Sequence, residues 1–175
     1  MYWDAQNPPL AYLLTFRTFG TWHHGDARGS VDRRFFNKFN TEKMKSSENL
    51  VSTETSSQKQ EAFVMDDQMR RIVEDAITEV CRHREYELSA INVRTNHVHT
   101  IVSHDGPPEK IVEAFKSYST RALRRDGLVD RDTKVWSRHG STKYLWKVSS
   151  VAAARNYCLY FQGDEFPDFG EVLES

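Results

Sequence analysis

Arg94-Thr95-Asn96-His97-Val98-His99-Thr100-Ile101-Val102 places two imidazoles two residues apart inside an apolar, β-branched run. Residues i and i+2 of a strand share a face, so this spacing sets His97 and His99 side by side while Val98, Ile101 and their neighbours serve the packing. Two neighbouring imidazole nitrogens at a fixed separation suit a divalent metal. Seven histidines in 175 residues give about 0.3 such pairs by chance, so the pair takes its meaning from what surrounds it.

On either side the pattern is that of a small α+β domain. Tyr86 to Val93 (YELSAINV) alternates and leads through Arg94-Thr95-Asn96 into the histidine strand, which predicts a hairpin with a tight Asn-containing turn. Upstream, Met65, Met69, Ile72, Val73, Ala76, Ile77 and Val80 recur at three and four, predicting an amphipathic helix from Glu61 onward. Downstream, Asp105-Gly106-Pro107-Pro108 stops the strand and opens a helix whose stripe is Ile111, Phe115, Tyr118 and Ala122, ended by Asp126-Gly127. Val135 to Trp146 reads as two short extended pieces around a glycine turn at Gly140. Ser149 or Ser150 can cap a last helix with Val151, Ala154, Cys158 and Phe161 as its buried stripe and Tyr157 on the flank, ending at Gln162-Gly163.

Near the start, Ala11 to Phe19 (AYLLTFRTF) is a first strand closing on Gly20. His23 and His24 follow in a glycine-bounded loop, where adjacent side chains diverge. Residues 27–60 lose all period, and 41–60 are rich in Ser, Thr, Lys and Glu, so a flexible insertion is expected. Strand, helix, hairpin, helix, strand, helix is the order of a ferredoxin-like split βαβ fold, a central antiparallel sheet with helices packed on it. Residues 1–175 are expected to form one domain carrying that insertion and an acidic tail at 164–175.

Composition narrows the function. No apolar run approaches the ~20 residues of a membrane span, and the start lacks the layout of a signal peptide, so no membrane and a cytoplasmic address are expected. Cys81 and Cys158 both fall in helical apolar patterns and read as buried reduced thiols. Net charge is −1, but between Lys110 and Lys147 ten Lys or Arg stand against four acids, a local excess of +6. Cations and flat rings are what hold a single strand or hairpin. Lys116, Arg121, Arg124, Arg125, Arg138 and Lys143 are the candidate phosphate contacts, with Trp136, Tyr144 and Trp146 as stacking surfaces.

A helix tyrosine beside a two-histidine metal site is a set of groups able to break a phosphodiester, because a phenol of pKa about 10 needs a metal or base to favour its oxyanion. Tyr157 is the candidate nucleophile. Two ligands are too few, and Gln162 on the same helix is the candidate third.

Together, Asn96-His97-Val98-His99, the Phe115-Lys116-Ser117-Tyr118-Ser119-Thr120-Arg121 helix, Val135-Trp136-Ser137-Arg138 and a closing helix with Tyr157 resemble the HUH-type single-tyrosine transposases of bacterial insertion sequences, most of all the REP-associated tyrosine transposases. The resemblance spans about Ala11 to Gly163. It implies a metal-dependent transposase, with Mg²⁺ or Mn²⁺ on His97 and His99. Tyr157 would attack single-stranded or hairpin DNA, giving a 5′-phosphotyrosine and a 3′-hydroxyl. It also implies a nucleoid location when DNA-bound, and leaves monomer and homodimer both open. In the best-known members the metal-binding glutamine follows the tyrosine by four residues, whereas Gln162 follows Tyr157 by five; Tyr160 is the alternative nucleophile. A catalytically inactive, domesticated nucleic-acid-binding protein on the same scaffold is the alternative function. A small-substrate metallohydrolase would need more converging ligands than the scattered His83, His104 and His139 offer.

Overall fold

Alternating apolar positions on β-branched strands can serve two helical layers at once, and the computed structural model shows that division. It describes residue 4 and residues 6–21, 30–31, 43–44 and 61–160. In order the elements are β1 (Ala11–Thr18), β2 (Ser30–Val31), β3 (Lys43–Met44), α1 (Asp67–His83), β4 (Glu87–Val93), β5 (His97–Ser103), α2 (Pro108–Arg125), β6 (Trp136–Leu145) and α3 (Val148–Tyr160). The main sheet runs β4-β5-β1-β6, every neighbouring pair antiparallel. Setting aside the two-residue β2–β3 ladder, this is the split βαβ arrangement expected, with β1 and the histidine strand paired at its centre.

Period 2 sorts the side chains. One sheet face sends Tyr12, Leu14, Phe16, Val98 and Val102 into a core shared with Val73 and Ile77 of α1 and Ile111 and Phe115 of α2. The other face sends Ala11, Leu13, Ala90, Ile101 and Leu145 against Ala154 and Cys158 of α3. Burying each large side chain stabilises by roughly 1.5–3 kcal/mol, and Tyr12, Phe16 and Phe115 are fully buried.

The expected helices form with shifted ends. α1 starts at Asp67 rather than Glu61, because the Asp66 carboxylate caps it by accepting from the Met69 amide at 2.8 Å. Met65, just outside, is held instead by its amide donating to Thr95 O at 2.7 Å, which pins the helix entry to the hairpin turn. That turn closes with the Arg94 amide donating to His97 O at 2.8 Å. α2 begins at Pro108, as the proline pair predicts.

Two expectations are corrected. Residues 136–145 are one strand, not two pieces about a turn: Gly140 sits opposite Phe16 in mid-strand, and a Cβ there would lie 2.6 Å from Thr15 O. The glycine serves a close backbone approach beside a register shift between Phe16 and Thr18. In α3, Ser149 and Ser150 lie within the first turn, where the Val151 amide donates to Lys147 O at 3.0 Å. Its buried positions are Ala154, Tyr157 and Cys158, so Tyr157 faces the sheet instead of flanking it. His23, His24, Phe161, Gln162, the tail at 164–175 and most of the 27–60 insertion lie outside the described residues. Cys81 and Cys158 are buried free thiols, as expected.

Candidate active site

The i, i+2 spacing on β5 brings the two imidazoles together on the face that α3 covers, ring centroids 4.7 Å apart and planes at 74°. Antiparallel register supplies their neighbours: Arg17 of β1 stands opposite His97, and Thr15 of β1 and Asn92 of β4 stand opposite His99. His99 is 3% exposed, and its Nδ1 shares a hydrogen bond of 2.8 Å with the Thr15 hydroxyl. Burial, with His97 and then Arg17 and Arg94 nearby, pushes the His99 pKa down to about 3, so the ring is neutral at physiological pH. His97 is half-buried, and its Nδ1 pairs with Asn96 Oδ1 at 2.6 Å.

α3 delivers Tyr157 to this pair. The phenol ring is 5% exposed and stands 5.8 Å from the His99 ring, edge-on at 76°. Two contacts hold the last turn of the helix: Asn92 Nδ2 donates to Cys158 O at 2.9 Å, and the Cys158 thiol donates to His99 O at 3.6 Å. Burial raises the Cys158 pKa to about 12, so it remains a thiol and no rival nucleophile. Tyr160 projects from the same helix at 74% exposure. Gln162 cannot be placed against the pair, because it lies outside the described residues. His99 and Tyr157 are both covered, whereas at the hairpin-turn end His97 is half-buried and Arg94 and Thr95 are exposed.

As donors for a divalent ion, the two rings fit in kind. Both are engaged through Nδ1 by an oxygen, which is how a ligating histidine is usually oriented, and His99 is held neutral. Among the described residues no group of three or more His, Cys, Asp and Glu gathers, so the pair alone is an incomplete set.

The cations named from sequence divide between the two sides of the sheet. Lys143, opposite Leu13, shares the histidine face. On the helical side, Lys116 donates to the carbonyls of Ser137 at 2.8 Å, His139 at 3.2 Å and Arg138 at 3.4 Å, and burial pushes its pKa down to about 8. Trp136 packs edge-on against Phe16 at 5.0 Å and donates its indole N–H to Lys116 O at 3.1 Å, while Arg138 is exposed on the same strand. Arg121, Arg124 and Arg125 are exposed on α2, Arg121 lying 4.6 Å over the Tyr118 ring. Arg124 donates to Arg131 O at 2.7 Å, and Arg125 pairs with Asp126 at 3.0 Å. At the end of β6, Tyr144 and Trp146 stack at 6.3 Å and 14°, with Trp146 37% exposed. Two cations beside the histidines were not named from sequence: Arg17 and Arg94, both close enough to depress the His99 pKa. Arg94 lies three residues before His97; Arg17 becomes a neighbour only through the β1–β5 register.

Residues 55–157, a span that includes His97, His99 and Tyr157, match the family model described as "Transposase IS200 like". Among solved structures, the chain is similar to one described as "Structure of the REP associates tyrosine transposase bound to a REP hairpin", at 13% identity and a TM-score of 0.48, over 90% of this chain and 67% of that one. No curated protein matches the chain.

Proposed function

The chain belongs to the IS200-like transposase family, and from that premise we propose that it cleaves and rejoins single-stranded or hairpin DNA through a 5′-phosphotyrosine on Tyr157. The observation that carries this reading is the packing of the Tyr157 phenol against His99, itself against His97, within one chain. In the cleavage step the phenolic oxygen, having given up its proton, attacks phosphorus opposite the 3′-oxygen. The Tyr–O–P bond forms, the P–O3′ bond breaks, and the departing 3′-oxygen takes a proton to become a hydroxyl. Rejoining reverses these roles, so the phosphodiester energy is conserved in the covalent link.

His97 and His99 would hold a Mg²⁺ or Mn²⁺ ion, with Gln162 as the proposed third ligand, and when bound the ion supplies positive charge to a phosphate oxygen as charge builds there. Arg17 and Arg94 add fixed positive charge at the same place and favour an anionic phosphate beside His99. Lys143 extends that charge along the histidine face, while Trp146, stacked on Tyr144 of the other face, would offer a ring to DNA at the sheet edge. Arg121, Arg124, Arg125 and Arg138, away from the pair, would contact the DNA beyond the cleaved phosphate. No helix of the described residues is long and apolar enough to cross a membrane, and a cytoplasmic, nucleoid-associated site of action goes with this activity.

A second reading, a nucleic-acid-binding protein without chemistry, draws on the near-complete burial of the Tyr157 ring. Incubating the chain with labelled single-stranded and hairpin oligonucleotides in Mn²⁺ separates the two. An adduct that survives denaturing electrophoresis and is lost in His97→Ala and His99→Ala supports the nicking enzyme. Tight binding with no adduct in either Mn²⁺ or Mg²⁺ supports the binding protein.

A further inference from the structure

Its sequence setting makes Lys116 a candidate phosphate contact, but the fold takes up its ammonium: Nζ donates to the carbonyls of Ser137 at 2.8 Å, His139 at 3.2 Å and Arg138 at 3.4 Å. An ammonium has three hydrogens, and three carbonyls match them. Carbonyls alternate in direction along a regular strand, so three in a row turn to one point only where the ladder is broken. That break is present. Thr18 stands opposite Trp136 and Phe16 opposite Gly140, which leaves Ser137, Arg138 and His139 against Arg17 alone. Arg17 in turn stands opposite His97, so this bulge on the edge strand lies across β1 from the first histidine. Bulges beside a site re-aim side chains.

The bulge is fixed at both ends. The Trp136 indole donates to Lys116 O at 3.1 Å, the Ser137 hydroxyl donates to Thr18 O at 2.9 Å, and Gly140 closes the far side in tight contact with the β1 backbone. Its middle residue, Arg138, is exposed. We infer that Lys116 is a positioning residue: its ammonium gathers the bulge carbonyls and so holds Arg138 where it meets a DNA phosphate, without touching the DNA itself. This role rests on the proposed DNA binding and not on the nicking step.

The salt dependence of binding to labelled single-stranded and hairpin oligonucleotides, measured on the full chain in a metal chelator, tests it. Arg138→Ala removes one phosphate contact and should reduce the slope of log K against log salt by about 0.7–0.9. Lys116→Met keeps an apolar stem and the backbone carbonyl that holds Trp136, loses the ammonium, and should reduce the slope by the same amount. The double variant should lose no more than either single one, because Lys116 acts through Arg138. Lys116→Arg, whose guanidinium still donates to the carbonyls, should keep the wild-type slope. A lysine of merely structural importance would lower Tm and leave the slope of the folded chain unmoved. Slope losses that add in the double variant would make Lys116 a phosphate contact in its own right and overturn the positioning role. A wild-type slope in Lys116→Met, or a slope in Lys116→Arg as low as that of Lys116→Met, would overturn it as well. A chain that follows the expected pattern yet forms no adduct in Mn²⁺ loses the nicking chemistry and keeps this role for Lys116, whereas a wild type that binds neither oligonucleotide ends both.

Discussion

Acidification should destabilise this protein through His99. In the folded chain the ring is 3% exposed, next to a second imidazole and two guanidinium groups, and its pKa falls from 6.5 to about 3. In the unfolded chain it regains the ordinary value, so below pH 6.5 the unfolded state binds the proton first and stability is lost as pH falls. The sign is that of a group buried neutral: its contribution is fully present above pH 6.5 and is withdrawn down to about pH 3. At about 1.4 kcal/mol per pH unit, lowering the pH to 5 removes about 2 kcal/mol. Urea unfolding followed by tryptophan fluorescence at pH 7.5 and pH 5, on wild type and His99→Gln, isolates the effect, since the other histidines are common to both. The wild type should lose about 2 kcal/mol more than the variant over that interval. Equal pH dependence in the two proteins would refute the burial and charge account of this ring.

Gly140→Ala should lower stability by about 1–3 kcal/mol, read as a drop in Tm, because the new Cβ meets Thr15 O at 2.6 Å and the β1–β6 ladder must open; an unchanged Tm would contradict the close-approach role. Asn92→Ala removes the hydrogen bond to Cys158 O and should cost about 1 kcal/mol. Amide exchange should then speed up in the last turn of α3, and exchange no faster than wild type there would show that this contact does not dock the helix. Arg17→Gln should raise the His99 titration midpoint measured by NMR and shallow the salt dependence of oligonucleotide binding by about one unit of slope. No change in either would place Arg17 outside the site.

The fold was legible where one period dominates. α1 and α2 each carry a clear 3.6 period, β1 and β5 are apolar, β-branched runs of strand length buried on both faces, and the turn and cap residues between the elements agree. β6 was misread because glycine in mid-strand has the same local signature as a turn; what Gly140 does depends on Thr15, 125 positions away, and only the register shows it. In α3 the run Val151, Ala154, Cys158 and the set Ala154, Tyr157, Cys158 both satisfy helical spacing, and the way the helix lies on β4 and β5 decides between them. The histidine pair could be named from sequence because i, i+2 spacing survives without tertiary knowledge; Tyr157 could be assigned to the closing helix but not to its buried face. Arg17 could not, since its proximity is a cross-strand fact. Lys116 and Trp136 carry the cation and ring that nucleic acid prefers, yet the fold engages both between α2, Phe16 and the β6 backbone.

The central claim is that Tyr157 takes the DNA phosphate. Protease digestion and mass spectrometry of the chain after reaction with a single-stranded oligonucleotide in Mn²⁺ tests it directly. The predicted result is a nucleotide-phosphate mass on the peptide containing Tyr157, at that residue, with no adduct formed by Tyr157→Phe. A covalent product on Tyr160 or any other residue, or one formed undiminished by Tyr157→Phe, would contradict it.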